Sequence, residues 1–561
     1  MADFKCEPTK ATADTFHPAS TEIVHDGSFN KDFGAFTADE AAQSDHPADD
    51  EGPTPSDELP RTLGVLSGTA MVAGLMIGSG IFSTPATVLT SAGSAGMAFV
   101  IWVIGALVTL CGGLSYVELG SMLPRSGGEQ AYLDYAFRRP RALLAFLFCF
   151  CMIVCIRPGS AAANSTVFGK YILYAGYGPR SGITDHYVSQ NFDWLCRALG
   201  VFCVTAIALL NCLSVAWSLR VHNILTWIKL LTLLLISITG LVIVSGVTSI
   251  PRSDLWSQGF KGTSNSAHQV SSALFGSLWA YDGWNNLNYS LGELKRPRRN
   301  LPICVTSGIG IVAVLYLLTN VAFFSVISMA DAVESKEVLA GVWGDIVFGT
   351  TFGRIIIPVL IAISSAGSVS AMTFTIARII RVAAQAGYMP YGDRLAALSP
   401  RFGTPWRCVL IQWVLSLVYM LAPPPGNVFD FLVNMQSYPT YLFYGISLVG
   451  LFYLRKTHPL KERPFRVFLF FPALFIVVAL FLSIFPFVPS TDGSVVVDGI
   501  PYYLAPLLGA LYILIGIPIW HLFVHRHDLK FGPPPSPDDQ ERAEVAAVET
   551  LPSVEKAEPM A

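Results

Sequence analysis

The sequence predicts an all-α integral membrane protein with twelve transmembrane helices, and three observations support this fold class. Of its 561 residues, 52% are hydrophobic and only 13% are charged, whereas roughly 25% are charged in ordinary soluble domains. Twelve apolar runs approach or exceed the roughly 20 residues with which a helix crosses a bilayer. Basic residues gather in alternate loops between these runs. We therefore expect the lipid bilayer as a partner, and we expect neither nucleic acid nor a soluble-enzyme activity.

The twelve predicted spans form the body of the chain, which we place at residues 61–527. They lie near residues 63–90, 94–122, 142–168, 194–214, 221–247, 267–292, 301–328, 352–377, 408–423, 428–453, 467–488 and 502–524. The ninth span is the shortest, so its boundary is the weakest of the twelve. Two tails, residues 1–60 and 528–561, flank the body.

Both tails are acidic and contain several prolines. Residues 1–60 hold fourteen aspartates and glutamates against three lysines, and residues 532–561 hold seven acids against two basic residues. Such segments cannot bury enough apolar surface to offset the entropy of ordering, so we expect both tails to be disordered. They either solvate the chain ends or present lysines and acids to ubiquitin-ligase adaptors. The acidic start also lacks the pattern of a cleavable signal peptide.

The loop charges predict an orientation. With the N-terminus in the cytosol, the cytosolic loops hold nineteen lysines and arginines and the outer loops hold seven. This asymmetry follows the positive-inside rule, so both termini are expected in the cytosol.

The cysteines predict neither a metal nor a cofactor. Nine of the ten lie within or near the apolar runs, and no CxxC motif with a matching second pair is present. Zinc is therefore not expected. Scattered small hydrophobic side chains in the helix bundle are the simpler interpretation.

Two predicted spans contain residues that interrupt a helix. The first span holds Gly78-Ser79-Gly80 with Pro85 close behind, and the sixth holds Gly283 within Trp279-Ala280-Tyr281-Asp282-Gly283-Trp284-Asn285-Asn286. Glycine costs about 1 kcal/mol relative to alanine inside a helix. Small residues also allow two helices to pack closely, which is the alternative explanation of the first motif.

The two interruptions are five spans apart, which predicts an inverted repeat of five helices. The repeats would cover residues 61–247 and 267–453, with two extra helices at 467–524. Interrupted helices at corresponding places in two halves indicate the binding site of a secondary transporter. Free backbone N–H groups at a helix start attract a carboxylate, and free carbonyl groups attract an ammonium group. An α-amino acid carries both groups.

Several short motifs follow one another along residues 61–525. They are Met76-Ile77-Gly78-Ser79-Gly80-Ile81-Phe82, Tyr116-Val117-Glu118-Leu119-Gly120, Pro124-Arg125-Ser126-Gly127-Gly128-Glu129, Ile156-Arg157-Pro158, Gly283-Trp284-Asn285, Gly292-Glu293-Leu294-Lys295 with Pro297, and Glu462-Arg463-Pro464. In this order they resemble the amino acid–polyamine–organocation superfamily and, within it, the L-type amino-acid transporter branch. Within that branch, the long acidic N-terminal tail and the overall pattern are most similar to fungal high-affinity methionine permeases.

The resemblance implies a LeuT-type fold, alternating access and a set of site residues. The amides of Gly78, Ser79 and Gly80 would bind the substrate carboxylate, and the carbonyls of Ile77, Trp279 and Ala280 its ammonium group. Trp279 matches an outer gate, although packing alone also explains a tryptophan there. The remaining predicted contacts are Tyr281, Asp282, Gly283 and Asn285 in span six, Ile156 and Ser160 in span three, and Gln436 and Thr440 in span ten.

Three ionisable residues inside the predicted spans need an explanation. Asp282 stands where similar L-type members carry glycine, and a carboxylate at mid-membrane costs about 2.5–3.5 kcal/mol unless it is solvated or paired. It is protonated, paired with a cation, or in contact with substrate. Lys229 in span five matches a lysine of sodium-independent and proton-coupled members, where it either carries the coupled proton or acts as a fixed strut. Arg157 is expected to satisfy carbonyl groups freed by Pro158.

These features predict a permease that imports methionine or other neutral L-amino acids, with proton coupling and without sodium. A carrier of cationic amino acids or polyamines that uses Asp282 is the second hypothesis, and a nutrient receptor with little transport is the third. Plasma membrane is expected by resemblance. The loop Tyr174–Asp193 lacks the cysteine through which animal members bind a glycoprotein heavy chain, so we expect no such partner.

Overall fold

The computed structural model describes Arg61 and residues 63–423, 428–459, 462–489, 496–497 and 500–525. The predictions for the two tails lie outside this part of the chain. Within it the backbone is almost entirely helical. The strands found there are two residues long each, Val496–Val497 and Ile500–Pro501, and pair antiparallel.

The α-helices are numbered along the chain. In the first half they are α1 Val65–Met76, α2 Gly80–Ser83, α3 Pro85–Ala92, α4 Ala95–Met122, α5 Glu129–Ala136, α6 Leu143–Cys151, α7 Arg157–Tyr177, α8 His186–Leu213, α9 Val215–Ser245 and α10 Leu255–Gln258. A π-helical turn, Met152–Ile156, joins α6 to α7, so these two helices form one long helical segment.

The second half continues in the same way. Its α-helices are α11 Ala267–Ala280, α12 Pro297–Val326, α13 Met329–Ser335, α14 Leu339–Thr351, α15 Ile357–Gln385, α16 Gly392–Ala396, α17 Trp406–Leu421, α18 Val428–Thr457, α19 Phe470–Ile484 and α20 Leu504–Trp520. A 3₁₀-helix, Asn286–Glu293, follows α11.

Nine helical stretches of the described residues are long and apolar enough to cross a membrane. They correspond to nine of the twelve predicted spans, so the chain is a multi-pass membrane protein. The structure also shows why the other three predicted spans are not among these nine. The predicted sixth span is broken after α11, the ninth is the 16-residue α17, and the 30-residue α18 carries polar residues such as Gln436 and Thr440 in its first half.

The breaks lie where the glycines predicted them. Helix α1 ends at Met76, Ile77 is extended with φ −71° and ψ 98°, and the helix resumes at Gly80. Helix α11 ends at Ala280, and Gly283 adopts a φ of +106°, a conformation that only glycine reaches without strain. The first and sixth predicted spans are thus both interrupted.

Long helices surround the two broken ones. Helix α1 packs against α9 and α12, and α11 packs against α3, α4 and α18. Local signals begin several of these helices: the Ser94 hydroxyl accepts the Met97 amide at the start of α4, and Pro85 occupies the first turn of α3, both favourable positions. The packing holds both breaks inside one apolar core.

Candidate functional site

The two broken helices touch at their interruptions, and glycine makes both contacts possible. A methyl group on Gly80 would lie 2.5 Å from Cα of Ala280 in α11. One on Gly283 would lie 3.1 Å from the backbone carbonyl of Leu75 in α1. The hydroxyl of Tyr316 in α12 lies 2.9 Å from the carbonyl oxygen of Met76 and 3.0 Å from that of Ala280. One side chain therefore binds the last turn of both helices.

The break of α1 leaves backbone groups free for other partners. Lys229 donates from Nζ to the Gly74 carbonyl at 3.3 Å, and Ser364 donates to the Gly78 carbonyl at 3.2 Å. The amide N–H groups of Gly78, Ser79 and Gly80 form no hydrogen bond to any residue that the structure describes. Three adjacent free amides at the start of a helical turn form a site suited to an anion.

Helix α7 supplies polar side chains to the same region. Asn164 accepts a hydrogen bond from the Ser79 hydroxyl at 2.8 Å. One helical turn earlier, Ser160 donates to Oε1 of Gln436 in α18 at 3.0 Å. Thr440 instead donates to the Gln436 backbone carbonyl at 2.7 Å. The structure thus joins predicted site residues of spans one and ten through Asn164 and Ser160 of α7.

Trp279 packs against a neighbouring aromatic residue. Its ring meets that of Phe429 edge to face at 5.2 Å, and its indole lies beside Gly80. Only 7% of Trp279 is exposed, so the indole closes over the contact between the two breaks. This placement fits either a gate or a packing residue.

Asp282 lies at the start of the turn that follows α11. It is half-buried, and its Oδ1 accepts a hydrogen bond from the Tyr444 hydroxyl of α18 at 3.1 Å. Arg157 donates to Oδ1 of Asn286 at 2.8 Å. The expectation that Arg157 satisfies carbonyls freed by Pro158 therefore finds no support in this contact, since an amide side chain accepts from it.

Asn285 is fully buried and faces the connecting helix α5. Its amide donates to Glu129 and, at 3.2 Å, to the Tyr289 hydroxyl. Both of its contacts thus lie on that side of the break. Glu129 therefore contacts the break itself through Asn285.

Two other predicted residues lie within apolar packing. The ring of Tyr281 packs edge to face on Trp102 and is tilted on Tyr316, with ring centroids 5.8 Å and 4.9 Å away. Ile156 is buried in a second apolar cluster that also contains Tyr289 and Phe443. Their side chains are thus held in the core around the site.

Two cavities flank the contact between the breaks. One, of about 410 Å³, is lined by residues of α1, α9 and α15, including Leu75, Thr226 and Ala371. The other, of about 420 Å³, is lined by α3, α11, α13 and α18, including Thr87, Phe275 and Asp430. The first is lined by α1, before its break, and the second by α3 and α11. A third, of about 940 Å³, lies beside Lys170 and Glu337.

Sequence reasoning missed four residues that bind the first break: Asn164, Tyr316, Ser364 and Ser368. Ser368 accepts the second hydrogen bond of Lys229 at 3.1 Å. A signal existed for three of them, because Ser160 and Asn164, and likewise Ser364 and Ser368, are polar residues four positions apart and therefore share one helix face. Nothing local distinguishes Tyr316.

Apolar helices that surround two touching breaks define a multi-pass membrane protein with a polar site inside its helix bundle. The chain belongs to the amino acid permease family, whose family model matches residues 63–514. This confirms the resemblance that the short motifs indicated.

Three relatives show how far the similarity extends. The b(0,+)-type amino acid transporter 1 of Mus musculus is 33% identical over 491 residues, 86% of this chain and 92% of the relative. The high-affinity methionine permease of Saccharomyces cerevisiae is 32% identical over 467 residues, 82% and 79% of the two chains. The cystine/glutamate transporter of Homo sapiens is 32% identical over 452 residues, 80% and 85%. All three names describe transport.

Proposed function

We propose that this protein is a secondary active transporter that imports amino acids by alternating access. The contact between the breaks carries the proposal: free amides at Gly78, Ser79 and Gly80 lie where Ala280 approaches within van der Waals distance. A zwitterion placed there would direct its carboxylate to these amides and its ammonium group to carbonyls of Ile77, Trp279 or Ala280. Cavities on both sides of the contact suit alternating access.

We further propose a LeuT-type arrangement of twelve spans in the plasma membrane, with both termini in the cytosol. The broken α1 and α11, and their contact, support two inverted five-helix repeats. Helix α17 and the polar α18 would be the ninth and tenth spans, and the excess of basic residues in alternate loops supports the orientation. We also propose that this protein works without a disulfide-linked heavy chain. Ubiquitin-ligase adaptors on the tails remain a hypothesis.

Methionine and other neutral L-amino acids are the proposed substrates. The similarity to the yeast methionine permease over 82% of this chain supports methionine. Backbone groups bind only the two ends common to all amino acids, so the side chain of the substrate is selected by other residues of the helices around the breaks.

A carrier of cationic amino acids is the second candidate, and Asp282 is the observation that favours it. This carboxylate is half-buried next to the break, and among the described residues the positive charge of Arg157 acts on it without a direct ion pair. A substrate with a positive side chain would supply the missing partner and so offset the cost of a carboxylate inside the membrane.

Counterflow in proteoliposomes tests the transport function and separates the two candidates. Radiolabelled methionine should accumulate in vesicles loaded with unlabelled methionine, and arginine or spermidine should compete poorly. Under the second candidate arginine should compete better than methionine, and D282G should reverse that order. Y444F, which removes the hydrogen bond but keeps the carboxylate, is the matched control. An absence of counterflow with every amino acid tested would favour a receptor instead.

Proton coupling without sodium is proposed through Lys229. Its fully buried ammonium group bridges α1 and α15, so loss of its proton would weaken the bonds that hold the break. An imposed pH gradient should drive accumulation in the vesicles and a sodium gradient should not. Accumulation driven by sodium without a response to pH would contradict this coupling.

A further inference from the structure

A buried carboxyl group outside the predicted site contacts the break of α11. Glu129 is the first residue of the connecting helix α5, and 0% of its surface is exposed. Its Oε1 accepts a hydrogen bond from Nδ2 of Asn285, which is buried to the same extent. The contact therefore joins a helix outside the membrane spans to the break.

Within the described part of the chain Glu129 forms no ion pair, although the positive charge of Arg157 acts on it. Arg157 donates its hydrogen bond to Asn286 instead. The titratable or charged groups that interact with it electrostatically come from every helix around it: Tyr116 on α4, Tyr132 on α5, Cys149 on α6, Arg157 on α7, Tyr289 after α11 and Tyr444 on α18. Burial raises the pKa of the Glu129 carboxyl above its ordinary range, because an ionised carboxylate loses its hydration there.

Two buried oxygen atoms of this contact lack a donor. Oε2 of Glu129 and Oδ1 of Asn285 form no hydrogen bond with any described residue, although Nδ2 of the same amide donates to Oε1 and the Tyr289 hydroxyl lies beside the carboxyl. With an ionised carboxyl both atoms are acceptors only. A proton on Oε2 changes this, because the acid can then donate to Oδ1 while it still accepts from Nδ2. Acid and amide then share two complementary hydrogen bonds.

We propose that Glu129 is a proton-binding site of this permease, occupied while α5 lies against Asn285 and emptied when the two separate. On separation water reaches the carboxyl, the O–H bond breaks, the proton passes to water and the carboxylate is hydrated. The separation rests on the proposed function, since alternating access supplies the motion that opens this contact. Protonation of the closed contact does not depend on transport.

The sign of the pH dependence follows from linkage. The closed contact binds the proton more tightly than the open one, so acid favours closure and higher pH favours opening. The equilibrium between closed and open contact depends on pH over a limited range. This pH range begins near the ordinary pKa of glutamate, about 4.3, and extends up to the raised pKa of Glu129 in the closed contact. Within it, each pH unit changes the equilibrium by up to about tenfold.

Two measurements test this site. The first is the rate of methionine counterflow with equal pH on both sides of the vesicle, so that no gradient drives transport. The second is the infrared absorption of protonated carboxyl groups in the purified protein above pH 5. The variant E129Q keeps both hydrogen bonds to Asn285 but cannot lose a proton. D134N makes the same chemical change on the half-buried Asp134 of the same helix, and serves as the matched control.

We expect wild-type and D134N counterflow to rise with pH, and E129Q counterflow to lose most of that rise. The protonated carboxyl band should be weaker in E129Q than in wild type, because it loses the share of Glu129, whereas D134N should keep that share. E129D, which keeps a titratable group, should retain a pH dependence at a displaced pH. A band that E129Q leaves unchanged, or equal pH profiles of E129Q and wild type, would overturn the proposal. If wild type shows no counterflow, the proposed function fails, and the infrared band alone decides whether Glu129 binds the proton.

Discussion

Lys229 donates a hydrogen bond to the backbone carbonyl of Gly74, with 3.3 Å between Nζ and the oxygen. In a continuous helix this carbonyl would accept the amide of Gly78, four residues later. The lysine therefore occupies the hydrogen-bonding position that the break vacates, and its second bond to Ser368 connects α1 to α15.

Replacement of this lysine by methionine should slow transport strongly. K229M keeps the volume but removes both hydrogen bonds, and a buried acceptor without a partner costs about 1–3 kcal/mol. We expect initial uptake of methionine to fall about tenfold or more, since 1.4 kcal/mol corresponds to a factor of ten. Initial rates in proteoliposomes with equal protein content measure this effect. The exposed Lys261 provides the control K261M, which should transport at the wild-type rate. K229M uptake equal to that of K261M would contradict the prediction.

A methyl group at Gly80 should prevent the two broken helices from touching. It would lie 2.5 Å from Cα of Ala280, a backbone atom that cannot move aside without shifting α11. Overpacking of this kind costs about 1–3 kcal/mol. G80A should therefore lose counterflow and unfold at a lower temperature in detergent, as followed by tryptophan fluorescence.

Gly310 in α12 is the matched control for this substitution. No atom lies within 4 Å of a methyl group placed there, and alanine is favoured over glycine in a helix by about 1 kcal/mol. G310A should transport normally and unfold at the same or a higher temperature. Equal losses in G80A and G310A would mean that the close contact at Gly80 does not matter.

Removal of the Tyr316 hydroxyl should loosen both breaks at once. Y316F leaves the carbonyls of Met76 and Ala280 without their shared donor, so we expect a loss of about 1–3 kcal/mol in unfolding free energy together with reduced uptake. The neighbouring Tyr281 has a buried hydroxyl without a partner in the described residues. Y281F should therefore be neutral or slightly stabilising. Thermal unfolding of the two variants side by side compares them, and a larger loss in Y281F would refute the assignment.

The sequence alone located the breaks because their cause is local. Gly78-Ser79-Gly80 and Gly283 weaken a helix wherever it lies, and the five-span spacing required only a count of apolar runs. The partners of the breaks are not local. Tyr316 lies 240 residues after Met76 and Ser364 lies 286 residues after Gly78, and no periodicity connects them.

Asn285 shows a second limit of sequence reasoning. Its position in span six suggested a residue near the substrate, whereas its amide faces Glu129 of α5. The direction of a side chain after a break depends on the φ and ψ angles of the break itself, here the φ of +106° at Gly283. A helical wheel carries no information about such a turn.

Glu118, near the end of α4, should be a strong electrostatic anchor between α4 and α18. Its fully buried carboxylate accepts from Nε and Nη2 of Arg455 in α18 at 2.8 and 2.5 Å, and from the amide of Val467 at 2.7 Å. Removal of one partner from a buried ion pair costs about 3–5 kcal/mol. E118Q should lower the unfolding free energy by that amount in a denaturant titration in mixed micelles.

The exposed pair of Arg298 and Glu462 provides the comparison for E118Q. Its nitrogen and oxygen lie 3.2 Å apart, but the side chains are 59% and 79% exposed, and pairs of this kind contribute about 0–1 kcal/mol. E462Q should therefore change the unfolding free energy little, and added salt should reduce even that small effect. The loss in E118Q should persist at high salt because water and ions do not reach the buried pair. If salt removed the loss in E118Q as well, the contact between α4 and α18 would have to open to solvent in the folded protein.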